Sequence, residues 1–217
     1  MEIVDLSRPL GPATPGYPGD PATTVERVAD AAAGDPYTVH RVAFSSHAGT
    51  HVDAPSHFLP GAPAVDRLPW EGLVGPARVV AVPEGRVTLA ALETARGVPI
   101  ILLKTLGPGA DPRDGPAWTP EAVAWLLAAG VRGVGVDTLS LETDDPARRG
   151  WLAPYAVHRA VLGRGLVVME GLDLARLSPG ERGFLVCLPL RLAGLEAAPA
   201  RAVWLRAAPG EEEAKTG

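Results

Sequence analysis

Residues Val98–Leu103 read VPIILL, an uncharged apolar run, and three similar runs flank it: Ala77–Val82 (ARVVAV), Val131–Val136 (VRGVGV) and Leu166–Leu172 (LVVMEGL). Short apolar runs between turn-forming residues mark strands buried on both faces. Between the first two runs a helical stretch begins near Thr88. Before Val131, the triplet Thr119-Pro120-Glu121 supplies a hydroxyl N-cap, a proline at the first helical position and an acid in the first turn, and Gly130 ends that helix. Pro154–Leu162 predicts another helix ahead of Leu166. From Ala77 onward, strand and helix therefore alternate.

Toward the N-terminus the pattern changes. Glu2–Leu6 predicts a strand, Gly11–Pro21 (GPATPGYPGDP) a loop, and the alternating stretches Thr23–Val28 and Tyr37–Ser45 a pair of antiparallel strands. Phe184–Leu190 and Arg201–Arg206 add two strands near the other end. Strands first and alternating units later predict an α/β fold with a mixed sheet. The expected organisation is one domain over residues 1–208, followed by a disordered polar tail, Pro209–Gly217.

The composition, 47% hydrophobic and 21% charged over 217 residues, is that of a compact protein. A net charge of −5 argues against a nucleic-acid partner, which selects for a basic face. The opening Met1-Glu2-Ile3-Val4-Asp5 carries acids where a signal peptide carries Lys or Arg. No uncharged run approaches the ~18 residues of a membrane span, so a cytoplasmic protein with no membrane partner is expected. The single cysteine, Cys187, rules out an intrachain disulfide. It lies in FLVCLPL with no histidine beside it, the setting of an inert buried thiol. Gly133-Val-Gly135 and Gly107-Pro-Gly109 lack the third glycine and helix start of a dinucleotide fingerprint. Asp137, at the end of an apolar run, is open to two readings, a ligand contact or a structural cap on the following loop.

Chemistry concentrates in His47-Ala-Gly-Thr-His51-Val-Asp53-Ala-Pro-Ser-His57-Phe58. Imidazole and carboxylate together suit zinc or another divalent first-row metal, which makes His47, His51 and Asp53 candidate ligands. In a straight strand His47 and His51 would stand ~13 Å apart, too far for one ion. Gly49, Thr50, Val52 and Pro55 oppose a helix. A loop bent at Gly49 is therefore expected. Glu170, set among Val167, Val168 and Met169, is expensive to bury without a partner, so it is either a metal ligand or the partner of an arginine. His158 on the predicted helix is a second distant candidate, or an exposed helix histidine. His40, beside Arg41 on an alternating strand, is left outside the site.

These residues resemble the cyclase-like metal-dependent hydrolases that include bacterial kynurenine formamidase and isatin hydrolase. The His47–Phe58 stretch is similar to that family's HxGTHxDxPxH signature. Tyr17-Pro18-Gly19-Asp20, Gly135-Val-Asp137-Thr-Leu-Ser140, Met169-Glu170-Gly171-Leu172 and Leu188-Pro189-Leu190-Arg191-Leu-Ala-Gly194 follow in the family's order, over about residues 1–206. The resemblance implies a three-layer β/β/α fold of the swivelling type, usually a homodimer or homotetramer. It further implies that His47, His51 and Asp53 hold one divalent metal, and that Asp53, Glu170 and His158 hold a second in formamidase-like members. Zinc is the first candidate and manganese the second, at one or two ions per chain. His57 becomes the proton donor and acceptor rather than a ligand, and Tyr17 the aromatic contact to substrate. The implied activity is hydrolysis of an aryl amide, with N-formylkynurenine giving kynurenine and formate. The alternatives are a cyclic amide, lactone or ester as substrate, and a non-catalytic metal-binding module.

Overall fold

A computed structural model describes residues 1–107, 110–150 and 152–206. The tail read as disordered, 209–217, lies outside them. In chain order the strands are β1 (Glu2–Asp5), β2 (Thr24–Ala29), β3 (Val39–Ala43), β4 (His51–Asp53), β5 (Val74–Ala81), β6 (Arg86–Val87), β7 (Ile100–Lys104), β8 (Ala117–Trp118), β9 (Gly133–Val136), β10 (Val167–Glu170), β11 (Arg182–Pro189) and β12 (Ala197–Arg206). The α-helices are α1 (Leu89–Glu93), α2 (Pro120–Ala128), α3 (Pro146–Arg149) and α4 (Ala156–Gly163).

The apolar runs form the centre of the main sheet: β5, β7, β9 and β10 lie side by side and parallel. The terminal strands supply the antiparallel part, with β11 on β5, β12 on β11 and β1 on β12. The short β4 pairs antiparallel with β10 on one side and with residues 197–199 of β12 on the other, which closes the sheet into a barrel. Residue alternation sorts side chains between two cores. Ile100 and Leu102 of β7, Val167 and Met169 of β10 and Trp204 of β12 fill the barrel. Ile101, Leu103, Val134, Val136 and Val168 face outward, under Leu92 of α1, Leu126 of α2 and Val161 of α4. Two sheet layers and one helix layer make the β/β/α arrangement.

Thr119 caps α2 as its sequence predicts, its hydroxyl accepting the Ala122 N–H. The glycines of VRGVGV serve packing: a Cβ on Gly135 would stand 2.7 Å from Leu172 Cδ1 and 2.8 Å from Leu102 Cδ2. Asp137 caps the loop after β7 rather than the loop that follows it, its carboxylate accepting the Thr105 N–H (3.0 Å), the Thr105 hydroxyl (2.6 Å) and the Leu106 N–H (3.1 Å). Cys187 is buried in the barrel and burial pushes its thiol up to about 12, in keeping with an inert role. β2 and β3 pair only with each other and project as a ribbon exposed on both faces. Among the described residues no helix is long and apolar enough to cross a membrane.

Candidate metal centre

His51 stands opposite Glu170 across the β4–β10 ladder, and Asp53 opposite Val168. Because successive side chains alternate, His51, Asp53 and Glu170 share one face, the face that Val168 presents to the helices. Helix α4 lies over that face and lowers His158 onto Glu170, with Nε2 to Oε1 at 3.1 Å. The predicted bend at Gly49 is present, with φ +64°. The Thr50 hydroxyl, which donates to the Gly171 carbonyl at 2.7 Å and accepts the Arg8 N–H at 2.9 Å, pins the bend to β10's end. The turn returns His47 to the cluster, its Nδ1 3.0 Å from Asp53 Oδ1. A 3-10 turn at Pro55–His57 then folds His57 back, its ring centroid 4.3 Å from that of His47.

The structure thus gathers every residue that the sequence proposed for the centre. His51 Nε2 lies 3.5 Å from Asp53 Oδ1 and 3.3 Å from Glu170 Oε2. Its Nδ1 faces the Gly49 carbonyl at 3.0 Å, and a carbonyl only accepts, so Nδ1 carries a proton and Nε2 is the nitrogen turned toward the acids. Glu170 meets histidines and the Leu141 N–H (2.6 Å), not an arginine, among the described residues. His40 is exposed on the ribbon, away from the cluster.

The electrostatics follow from burial of acids beside imidazoles. Burial opposes charge on His51, but Glu170 and Asp53 outweigh it and push the ring up to about 9. Burial also opposes charge on His158, where Glu142 and Glu170 push it up to about 10. His47 is raised by Asp53 against the same opposition. Burial would raise Glu170, yet His158 and His51 hold it well below the usual carboxylate range. His57 goes the other way: burial lowers it, and Asp53 does not compensate.

The donor set fits a divalent cation. His47 Nε2, His51 Nε2 and both oxygens of Asp53 are buried without a hydrogen-bond partner among the described residues, a cost that buried polar groups normally avoid. Two overlapping groups place ligand atoms within 4.8 Å of one another: His51, Asp53 and Glu170, and His47, Asp53 and His57. The second brings His57 within reach of the ligand atoms as well. A cavity of about 240 Å³ opens onto the cluster, with Tyr17, Phe58, Leu139 and Tyr155 among its walls.

Sequence reasoning missed two of these groups. Glu142, buried behind His158, is followed by Thr143-Asp144-Asp145 and so lacks the apolar surroundings that singled out Glu170. Tyr155 sits at φ +57°, in the left-handed region, at the start of α4. Nothing in its neighbours marks that conformation.

Comparison with known proteins agrees with this geometry. The cyclase family model, described as "Putative cyclase", matches residues 4–143. A structure described as a "potential metal-dependent hydrolase with cyclase activity" is similar at 27% identity and TM-score 0.75, covering 96% of this chain and 99% of that one. A "predicted metal-dependent hydrolase" from Bacillus stearothermophilus is 26% identical, with TM-score 0.72 and coverage of 94% and 97%. Isatin hydrolase A from Ralstonia solanacearum is 25% identical, with TM-score 0.76 and coverage of 95% and 92%. With the family model spanning β1 to the loop after β9, and the buried His/Asp/Glu cluster assembled on the same sheet, the chain belongs to the cyclase family.

Proposed function

We propose that this protein is a metal-dependent amide hydrolase, an arylformamidase that converts N-formylkynurenine and water to kynurenine and formate. The observation that carries the reading is the convergence of buried, partnerless ligand atoms on a cavity with aromatic walls. His47, His51 and Asp53 would hold one divalent ion, and Asp53, Glu170 and His158 a second. Zinc is the first choice for this nitrogen and oxygen set and manganese the second. A divalent cation supplies carbonyl polarisation and lowers the pKa of water from about 16 toward about 7.

The chain's own groups supply the rest. His57 is the proton carrier: its lowered pKa keeps the ring neutral near pH 7, ready to accept a proton from the attacking water. It returns that proton to the amine nitrogen as the C–N bond breaks and the new C–O bond completes formate. Tyr17, Phe58 and Tyr155 offer ring faces to an aryl group and keep bulk water from it. Assembly as a homodimer or homotetramer belongs to the same reading, supported by the β2–β3 ribbon with its two exposed faces.

A second reading is hydrolysis of a cyclic amide, favoured by the likeness to isatin hydrolase A. Product count separates the two. The first reading expects formate released in step with the aryl amine; the second expects one ring-opened product that keeps its nitrogen. In either case a chelator should abolish turnover and added divalent metal should restore it. Undiminished turnover after exhaustive chelation would overturn both.

A further inference from the structure

Residues 139–143 form a loop locked at several points. The Leu141 carbonyl accepts the Trp118 indole N–H at 2.8 Å, and the Thr143 N–H donates to the Pro116 carbonyl at 2.9 Å. The loop reaches two candidate ligands at once: the Leu141 N–H donates to Glu170 Oε1 at 2.6 Å, and the next side chain, Glu142, meets His158. Glu142 is 3% exposed. Its Oε1 takes both the backbone N–H of His158, at 2.9 Å, and ring Nδ1, at 2.7 Å. Its Oε2 is buried with no partner among the described residues.

We propose that Glu142 is the positioning residue for His158, fixing the ring's tautomer and rotation so that the Nε2 lone pair points at the ion shared with Glu170. The proposal rests on the metal reading above. A carboxylate beside Nδ1 holds the proton there, so Nε2, 3.1 Å from Glu170 Oε1, is the nitrogen that a cation shared with Glu170 would take in place of its proton. The second bond to the same oxygen, from the backbone N–H, ties the ring to its own helix. α4 has no side-chain cap of its own at Tyr155, so Glu142 also takes up an N–H that the helix start leaves unpaired. Capping alone does not account for the arrangement. A serine or aspartate at the cap position would satisfy an N–H without burying a charge whose second oxygen has nothing to accept.

The test compares wild type, Glu142→Leu (which fills the same volume), Glu142→Gln and His158→Ala. Metal affinity is read by competition with a chromogenic chelator, and the melting temperature is taken on the metal-free forms. The expected result is that Glu142→Leu weakens by about 10- to 100-fold the same ion that His158→Ala loses. Glu142→Gln, which keeps an accepting oxygen, holds its metal as wild type does. Unchanged metal affinity in Glu142→Leu, with only the metal-free melting temperature lowered, would make Glu142 a helix cap and overturn the proposal. A second measurement reads the wild-type ring itself and uses a variant only to assign its signal. In NMR of the metal-loaded protein with isotope-labelled histidine, the ring signal absent from His158→Ala should show Nδ1 protonated and Nε2 unprotonated. The opposite tautomer also overturns it. A wild-type chain that binds no divalent metal removes the metal reading itself, an outcome distinct from one in which metal binds and Glu142 is indifferent.

Discussion

An ionised carboxylate taken out of water loses several kcal/mol of hydration unless donors or a cation replace it, and the two acids of the cluster meet that demand differently. Glu170 has the Leu141 N–H and two imidazoles. Asp53, 1% exposed, lies 3.0 Å from His47 Nδ1 and 3.5 Å from His51 Nε2 through Oδ1, but among the described residues neither of its oxygens accepts a well-aligned hydrogen bond or a backbone N–H. Asp53 therefore depends most on a bound ion, and Asp53→Ala should lose more metal than any other single replacement in the cluster. Elemental analysis showing full occupancy in that variant would contradict its bridging role. His57 separates catalysis from binding. Because it is read as carrying a proton rather than an ion, His57→Ala should keep its metal and its melting temperature while kcat falls by about 10²- to 10⁴-fold. Metal lost together with activity would make it a ligand instead.

At the scale of elements, the apolar runs are legible because a strand buried on both faces has to be apolar throughout, and β7, β9 and β10 lie where those runs place them. The N-cap at Thr119 is legible for a local reason, since the hydroxyl and the N–H it accepts lie three residues apart. β4 is not. It has three residues, and its outward face consists of the candidate ligands His51 and Asp53, so it carries neither length nor an apolar alternation. The sequence yields the bend at Gly49 and the gathering of the histidines, but not that His51 and Asp53 are neighbours on a strand. Glu142 stayed hidden because the group it serves lies on α4, whose start is set by the left-handed Tyr155 rather than by a cap residue. β9 offers a test of packing between strands. Gly135→Ala would press a methyl group against Leu102 and Leu172 inside the barrel, where overpacking costs about 1–3 kcal/mol. Denaturant unfolding should show that loss, and wild-type stability would mean the barrel interior yields.

Taken whole, the molecule builds its site from segments far apart in the chain: the His47–His57 stretch, the loop before α3, α4 and the end of β10. The closed sheet holds them in register, because β4 is gripped by β10 and β12 at once. The same strand β12 continues past β4 and pairs with β1, setting Glu2 opposite Arg206 and Asp5 opposite Val203. Directly paired residues have Cα atoms about 5 Å apart, a gap that a two-residue hairpin loop spans. Residues 2 and 206 can therefore be joined covalently, and the chain reopened in the exposed turn at Gly34 between β2 and β3, without moving a strand. Such a circular permutant should fold to the same barrel, bind the same amount of metal and keep the wild-type kcat/KM. Sequence order would then be incidental to this catalyst, and the permutant would offer ends on the ribbon for attachment, away from the barrel's seam.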